Sequence, residues 1–354
     1  MYLRGAIEVG MKAVLKIAAI NVVLVGAALI VIEMIFGSWF HNRQLNHLSI
    51  PKNVEVRYAY HRSEGKAWTA IYRRDAFGLR GPYEALDEID VLTMGGSTTD
   101  QRMLSENITW QAVLRDEFAA AGNPKTIVNA GVDGQSSFGH IRAFDLWLNK
   151  IPGLKSKRIL VYVGINDMNM KTPTEYDGMI ASSRSTRQLI VEKSALYYLY
   201  RTARGMVHAK VIDVTHGEPV LGRSWVPMPP APAANDEEKN RLDAYGRRLR
   251  VLARRIQDFG SLPVFVTQPI AIAKIDGGQT FLREGQSPEG FFTLDRLNRR
   301  TMAVCRTLPE SVCIDLAKEL TLNASDYYDR VHYTPSGAAK IGRYLHSVLA
   351  GQLR

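Results

Sequence analysis

From Ile89 to Leu349, short apolar runs alternate with segments of helical periodicity, and this alternation constrains the fold more than any other feature. The runs are Ile89–Met94 (IDVLTM), Thr126–Ala130 (TIVNA), Arg158–Val163 (RILVYV), Leu262–Thr267 (LPVFVT) and Val312–Leu316 (VCIDL). Between them, helices are predicted over Thr109–Ala121, Phe138–Asn149, Asp236–Phe259 and Thr293–Arg306, and over most of Ser183–Lys210. A last helix is predicted over Pro335–Leu349, with Thr334 as N-cap and Pro335 at the first helical position. Strands that are apolar throughout are those buried on both faces. The expectation is therefore an α/β fold whose five-stranded parallel sheet carries helices on each side. Such sheets bind ligands at the carboxyl ends of their strands.

Four polar features fall at or just after those ends: Gly95-Gly96-Ser97, Asn129-Ala130-Gly131, Gly164-Ile165-Asn166-Asp167, and a loop holding Asp329 and His332. A serine hydroxyl is a weak nucleophile and needs an adjacent base. His332 is the candidate base for Ser97. Asp329, three residues earlier, can reach back to the imidazole and fix its tautomer. A developing oxyanion needs donors, which the backbone N–H groups of Ser97 and Gly131 and the Asn166 side chain can supply. Each feature taken alone also has a structural explanation: a turn after a strand, a common loop dipeptide, or a helix cap. Their order at successive strand ends is what favours chemistry. Thr98, Thr99 and Asp100 are expected to shape the turn, and Asp167 to orient its loop. Ser136 and Ser137 lack the strand-end placement of Ser97. GGSTT has no P-loop lysine, the Gly-x-Ser-x-Gly elbow is missing, and no Gly-x-Gly-x-x-Gly opens a helix.

These blocks resemble those of the SGNH/GDSL hydrolase superfamily. The matching stretches are MGGSTTD around Ser97, NAGVDGQSS around Gly131, VGINDMN around Asn166 and DRVHYTPSG around His332. Gly-Gly-Ser stands where founding members have Gly-Asp-Ser. The resemblance covers residues 90–354. It implies a flavodoxin-like three-layer α/β/α sandwich and hydrolysis of acyl esters, and by the family's pattern Asp326 lies one turn too far from His332 to be its partner. No cofactor and no metal are expected.

Before this region, Ala13 to Phe40 is almost wholly apolar, broken only by Lys16, Asn21, Glu33 and Ser38. A spanning helix needs ~20 such residues. The run is too long for a signal-peptide core and no small-x-small cleavage site follows it, so an uncleaved transmembrane signal anchor is expected. Residues 1–12 then form a short cytoplasmic tail and 41–89 a connecting segment. Arg4, Lys12 and Lys16 precede the span, while Arg43, Lys52 and Arg57 follow it, so charge alone does not orient it. The short tail and the two cysteines favour a single pass through the cytoplasmic (inner) membrane, with the main body on the extracytoplasmic side. Cys305 and Cys313 form either one disulfide or a pair of buried thiols.

The 354 residues are 46% hydrophobic and 23% charged, ordinary globular composition. The net charge of +10 is compatible with anionic headgroups, but no recognition motif accompanies it and nucleic acid is not expected as a partner. Arg241, Arg247, Arg248, Arg250, Arg254 and Arg255 are expected on a solvated helix face. Gly217–Asn235, with PMPPAPAA, is expected to be an exposed loop. Met168–Met179 and the region Phe281–Phe292 are candidate pocket linings. The functional expectation is a serine esterase that removes acyl groups, O-acetyl above all, from a membrane-associated carbohydrate or lipid of the cell envelope. Two alternatives stay open: an O-acyltransferase that acylates a polysaccharide, and a non-catalytic anchored carbohydrate-binding protein.

Overall fold

The computed structural model describes residues 2–37, 39, 45, 48–60, 68–168, 170–179, 193–197, 199–200, 211–214 and 224–353. Its helices are α1 (Tyr2–Phe36), α2 (Ser97–Asp100), α3 (Trp110–Ala120), α4 (Ser137–Leu146), α5 (Glu175–Gly178), α6 (Asp236–Asp258), α7 (Glu289–Cys305), α8 (Leu316–Glu319) and α9 (Pro335–Leu349). Its strands are β1 (Val54–Tyr60), β2 (Trp68–Arg74), β3 (Ile89–Gly95), β4 (Ile127–Asn129), β5 (Ser156–Tyr162), β6 (Val211–Val214), β7 (Trp225–Pro227), β8 (Leu262–Val266), β9 (Ala273–Asp276), β10 (Gln279–Arg283) and β11 (Val312–Ile314). The chain divides into two compact units, one of residues 1–47 with 181–210 and one of residues 48–180 with 211–354.

In the larger unit every residue of β3 is buried, as a strand covered on both faces requires. β3 sits inside a five-stranded sheet of order β11-β8-β5-β3-β4. All four pairings are parallel. On one face α3 and α9 bury Trp110, Leu114, Phe118, Ile341 and Leu345 against Val91, Leu160, Val264 and Ile314. On the other, α6 buries Tyr245, Leu249, Leu252 and Ile256, one helical stripe at alternating spacings of four and three. α6 packs between α4 and α7. Burying each of these large side chains contributes roughly 1.5–3 kcal/mol before chain entropy is counted. Asn235 caps α6 by accepting the Glu238 N–H, and Asp236, Glu237 and Glu238 fill its first turn. The expected three-layer α/β/α sandwich with a parallel five-stranded sheet is the fold observed. α7 begins at Glu289, earlier than the periodicity from Thr293 predicts, because Pro288 sets its entry.

The segment read as a connector carries structure of its own. β1 and β2 form an antiparallel pair, and β6 joins β1 in parallel. Of the stretch expected to be a loop, Trp225–Pro227 pairs with β10, and residues 217–223 lie outside the described residues. β9 completes this second small sheet. Of 183–210, the described residues 193, 195–197 and 199–200 are helical, Ser194 is described but not helical, and the others lie outside the described residues.

Cys305 and Cys313 form a disulfide with Cα atoms 5.9 Å apart, closing a loop of sequence separation 8. A loop this short gives a modest constraint on the unfolded chain. Reduction with dithiothreitol is expected to cost about 2 kcal/mol. A denaturant melt of the oxidised and reduced protein, with the midpoints compared, checks this.

In the smaller unit, Leu15–Phe36 is a 22-residue stretch of α1 with none of it buried, long and apolar enough to cross a membrane. At 1.5 Å per residue it spans about 33 Å, against a hydrocarbon core of about 30 Å. A signal sequence passes the same test of length and composition.

Candidate active site

β3 delivers its carboxyl end to Gly95, Gly96 and then Ser97, the first residue of α2. The sequence suggests that two glycines are there to permit a sharp turn, yet neither has a positive φ. Close approach is the reason instead. A Cβ on Gly95 would stand 2.7 Å from the Tyr162 carbonyl of β5, and one on Gly96 would stand 2.1 Å from Asn166 Nδ2. The turn that carries Ser97 is thus pressed against the loop that follows β5. Gly131 is pressed in the same way, since its Cβ would lie 2.5 Å from the Asp100 backbone nitrogen. Three of the four sequence blocks meet through positions where only a hydrogen fits.

The fourth block completes the cluster. His332 Nε2 lies 2.7 Å from Ser97 Oγ. His332 Nδ1 lies 2.6 Å from Asp329 Oδ2. Asp329 Oδ1 accepts the N–H groups of Val331 at 2.8 Å and His332 at 2.7 Å, which fixes the carboxylate before it meets the ring. Burial is the largest influence on Asp329 and pushes its carboxyl up. The hydrogen bond and charge of His332, with the two backbone donors, outweigh it and hold the group below its ordinary range. An ionised Asp329 selects the tautomer with the proton on Nδ1, leaving Nε2 to accept from the Ser97 hydroxyl. The Tyr328 ring stacks on the imidazole at 5.5 Å and 10°. The Tyr60 hydroxyl of β1 in turn donates 2.8 Å to the Tyr328 carbonyl.

The candidate oxyanion donors surround the same turn. Among the described residues no acceptor is found for the Ser97 N–H. Asn166 Nδ2 donates one hydrogen to the Gln135 carbonyl at 2.8 Å. The Gly131 N–H donates 2.8 Å to Asn129 Oδ1, a bond that the spacing of NAGVD does not reveal.

Asp100, expected only to shape the turn, is the hub behind it. Its carboxylate lies 2.8 Å from Arg74 Nη2 and 3.8 Å from Arg80 Nη1. It also accepts the Tyr72 hydroxyl at 3.0 Å. Arg74 reaches on to the Gly131 carbonyl, so one buried guanidinium from β2 ties two blocks together. Burial, and after it the charge of Asp100, push the Tyr72 hydroxyl up to about 12. Gln268, just after β8, performs a similar bridge: Nε2 donates 2.7 Å to Thr98 Oγ1, and Oε1 accepts the Ile165 N–H at 2.8 Å. A glutamine at the carboxyl end of a parallel strand was the available signal for it.

The remaining polar residues divide as expected, with one correction. Asp167 accepts Ser137 Oγ at 2.5 Å and the Ser137 N–H at 3.1 Å, which holds the start of α4. Ser136 caps α4 and bonds Asp177 at 2.8 Å, so both serines are occupied structurally. Asp326 pairs with Lys340 at 2.7 Å, whereas His332 Nδ1 is paired with Asp329. Arg248 is the correction. It does not share a solvated face but donates 2.7 Å to Ser137 Oγ and lies 3.2 Å from buried Asp167, over the Phe138 ring. Burial still raises the Asp167 carboxyl despite Ser137 and Arg248.

A cavity of about 720 Å³ lies at the ends of β8 and β11, lined by Gln268, Ile270, Phe291, Leu294, Asn298 and Asp315 among others. Ser97, Asp329 and His332 do not line it, and neither do the described residues of 168–179. No group of three His, Cys, Asp or Glu placed to hold a metal ion is found among the described residues.

No curated protein sequence matches the chain. Among solved structures, TesA is 13% identical with a TM-score of 0.43, over 75% of this chain and 99% of that one. An acetyl xylan esterase from Geobacillus stearothermophilus is 17% identical with a TM-score of 0.41, over 75% and 96%. A lipase/acylhydrolase from Enterococcus faecalis is 14% identical with a TM-score of 0.41, over 75% and 98%. Likeness at this level adds nothing to the geometry above. The sequence profile of the GDSL-like lipase/acylhydrolase family, however, matches residues 93–274, more than half of the chain. The chain belongs to the GDSL-like lipase/acylhydrolase family and is a hydrolase of ester bonds.

Proposed function

We propose that the chain is a membrane-anchored serine esterase in which Ser97 is the nucleophile, His332 its general base and Asp329 the residue that orients and charges against the imidazole. The observation that carries this reading is the unbroken run from Ser97 Oγ to His332 Nε2 at 2.7 Å and from Nδ1 to Asp329 at 2.6 Å. Ser97 Oγ attacks the ester carbonyl as its proton passes to Nε2. The imidazolium then returns that proton to the leaving alcohol, and an acyl-Ser97 remains. Water, deprotonated by His332, attacks the acyl group and releases the acid and free Ser97. The Ser97 N–H and Asn166 Nδ2 stabilise the oxyanion in both halves. The Gly131 N–H is the third donor, sharing its hydrogen with Asn129 Oδ1.

The substrate proposed is an O-acyl ester, acetyl above all, of a cell-envelope carbohydrate or lipid. The family supports the ester. The apolar α1 and the Cys305–Cys313 disulfide support a single-pass anchor with the hydrolase unit on the extracytoplasmic side. Residues 1–12 are then the tail and 13–40 the anchor, and the hydrolase unit takes in residues 48–180 and 211–354. The detergent-solubilised chain should release acetate from a generic acetyl ester, and a panel of acetylated oligosaccharides and acylated lipids should rank its substrates. Acetyl transfer to a sugar hydroxyl in place of acetate release would overturn the hydrolytic assignment.

Asn166→Ala is expected to lower kcat about 10²- to 10³-fold with little change in KM, because the amide acts on charge that develops only after attack. Steady-state kinetics on the same ester check this. A rise in KM at unchanged kcat would place Asn166 in ground-state binding.

A further inference from the structure

Glu33 is a carboxylate within the last turn of α1, in a stretch, Val22–Phe36, that is otherwise apolar and where an unpaired charge is costly. It is not left unpaired. Its oxygens accept the Trp39 indole N–H at 2.8 Å, the Ala195 N–H at 3.0 Å, the Leu196 N–H at 3.1 Å and the Ser194 hydroxyl. Residues 193–197 and 199–200 belong to the same compact unit as α1, although about 160 positions separate them in sequence. Ser194 also caps its own helical turn by accepting the Tyr197 N–H at 3.0 Å. Glu33 and Ser194 together satisfy the N–H groups that a helix start leaves without partners. A side chain from the end of α1 thereby fixes where this short helical stretch begins.

What the stretch displays is the second observation. Leu199 is 65% and Tyr200 57% exposed, and the Tyr197 and Tyr200 rings lie 6.1 Å apart at helical spacing. Trp39, on the other side of Glu33, is 39% exposed. In sequence, Lys193 precedes this aromatic run and Arg201 and Arg204 follow it. Tyrosine and tryptophan are the residues of membrane–water interfaces, and flanking cations suit anionic headgroups. Glu33 lies within about 5 Å of the helix end, the level at which an interface falls if Leu15–Phe36 crosses the bilayer.

We propose that residues 193–197 and 199–200 lie along the lipid–water interface, clamped by Glu33 to the end of α1, and bind the headgroup–acyl boundary of an anionic bilayer. This rests on the reading of α1 as a membrane anchor. The anchor then contacts the membrane twice, once across it and once along its surface.

The test uses the full chain in vesicles of phosphatidylcholine and phosphatidylglycerol, three parts to one. The two native cysteines are joined to each other, so a single introduced cysteine takes an environment-sensitive fluorophore. Leu199→Cys reports the proposed surface, and Val25→Cys reports the span. A lipid nitroxide near the headgroup should quench roughly half or more of the label at 199, and one deep in the acyl chain should quench the label at 25. Glu33→Ala should abolish quenching at 199 and leave that at 25. Quenching at 25 without quenching at 199 overturns the proposal and leaves the anchor standing. Quenching at neither site overturns both. Unchanged quenching at 199 in Glu33→Ala overturns the clamp.

Discussion

Ser97→Ala is expected to lower kcat on an acetyl ester about 10⁴- to 10⁶-fold, with the fold and the melting temperature intact. In the proposed mechanism Ser97 Oγ is the one protein atom that bonds to the substrate. His332→Ala should cost a similar factor, because Ser97 Oγ then has no acceptor for its proton at 2.7 Å. The discriminating result is the double variant. Groups that act as one unit lose their effect together, so Ser97→Ala combined with His332→Ala should be no slower than either alone. Asp329→Asn should fall about 10⁴-fold for a different reason, since the amide reverses the tautomer that Oδ2 selects at 2.6 Å. Circular dichroism of each variant, followed by kinetics on one ester, measures all four.

Asp100→Asn is expected to destabilise the larger unit by about 3–5 kcal/mol and lower Tm by on the order of 10 °C. The side chains of Arg74 and Arg80 are 1% and 0% exposed and share this one carboxylate. Taking its charge away leaves two guanidinium groups buried, with carbonyl and Glu106 contacts in place of the Asp100 charge. The network also holds the Gly131 carbonyl through Arg74, so the remaining folded enzyme should lose kcat more than it gains KM. Calorimetry on detergent-solubilised protein gives the first number. A shift under about 2 °C would mean the ion pairs only offset their own desolvation.

The sheet was legible in the sequence because strands buried on both faces are apolar without interruption, as Ile89–Gly95 is. The four blocks were legible because the topology of a parallel sheet sends every strand end to one edge. What joins those blocks was not legible, since it comes from residues distant in sequence. Arg74 lies 57 positions from the Gly131 carbonyl it bonds, and Gln268 lies 170 from Thr98. No periodicity reports such pairs. The strands β1, β2 and β6 escaped for the same reason, since β1 finds β6 across some 150 residues and alternates too weakly for its face to be read. A basic helix likewise does not disclose which of its arginines turns inward. Arg248 does so only because the start of α4 brings Ser137, and the turn after β5 brings Asp167, to its guanidinium. The paired glycines were correctly placed but for another reason than turn geometry, because close approach depends on a neighbour that the local sequence does not contain.

The central claim is that Ser97 is the nucleophile, and a fluorophosphonate probe followed by peptide mapping tests it most directly. In the folded full-length chain the phosphonyl group should be found on Ser97 alone. His332→Ala and heat-unfolded protein should remain unlabelled, since the hydroxyl reacts only when its proton has an acceptor. Labelling of Ser136 or Ser137 in place of Ser97, or equal labelling of folded and unfolded chain, would contradict the account.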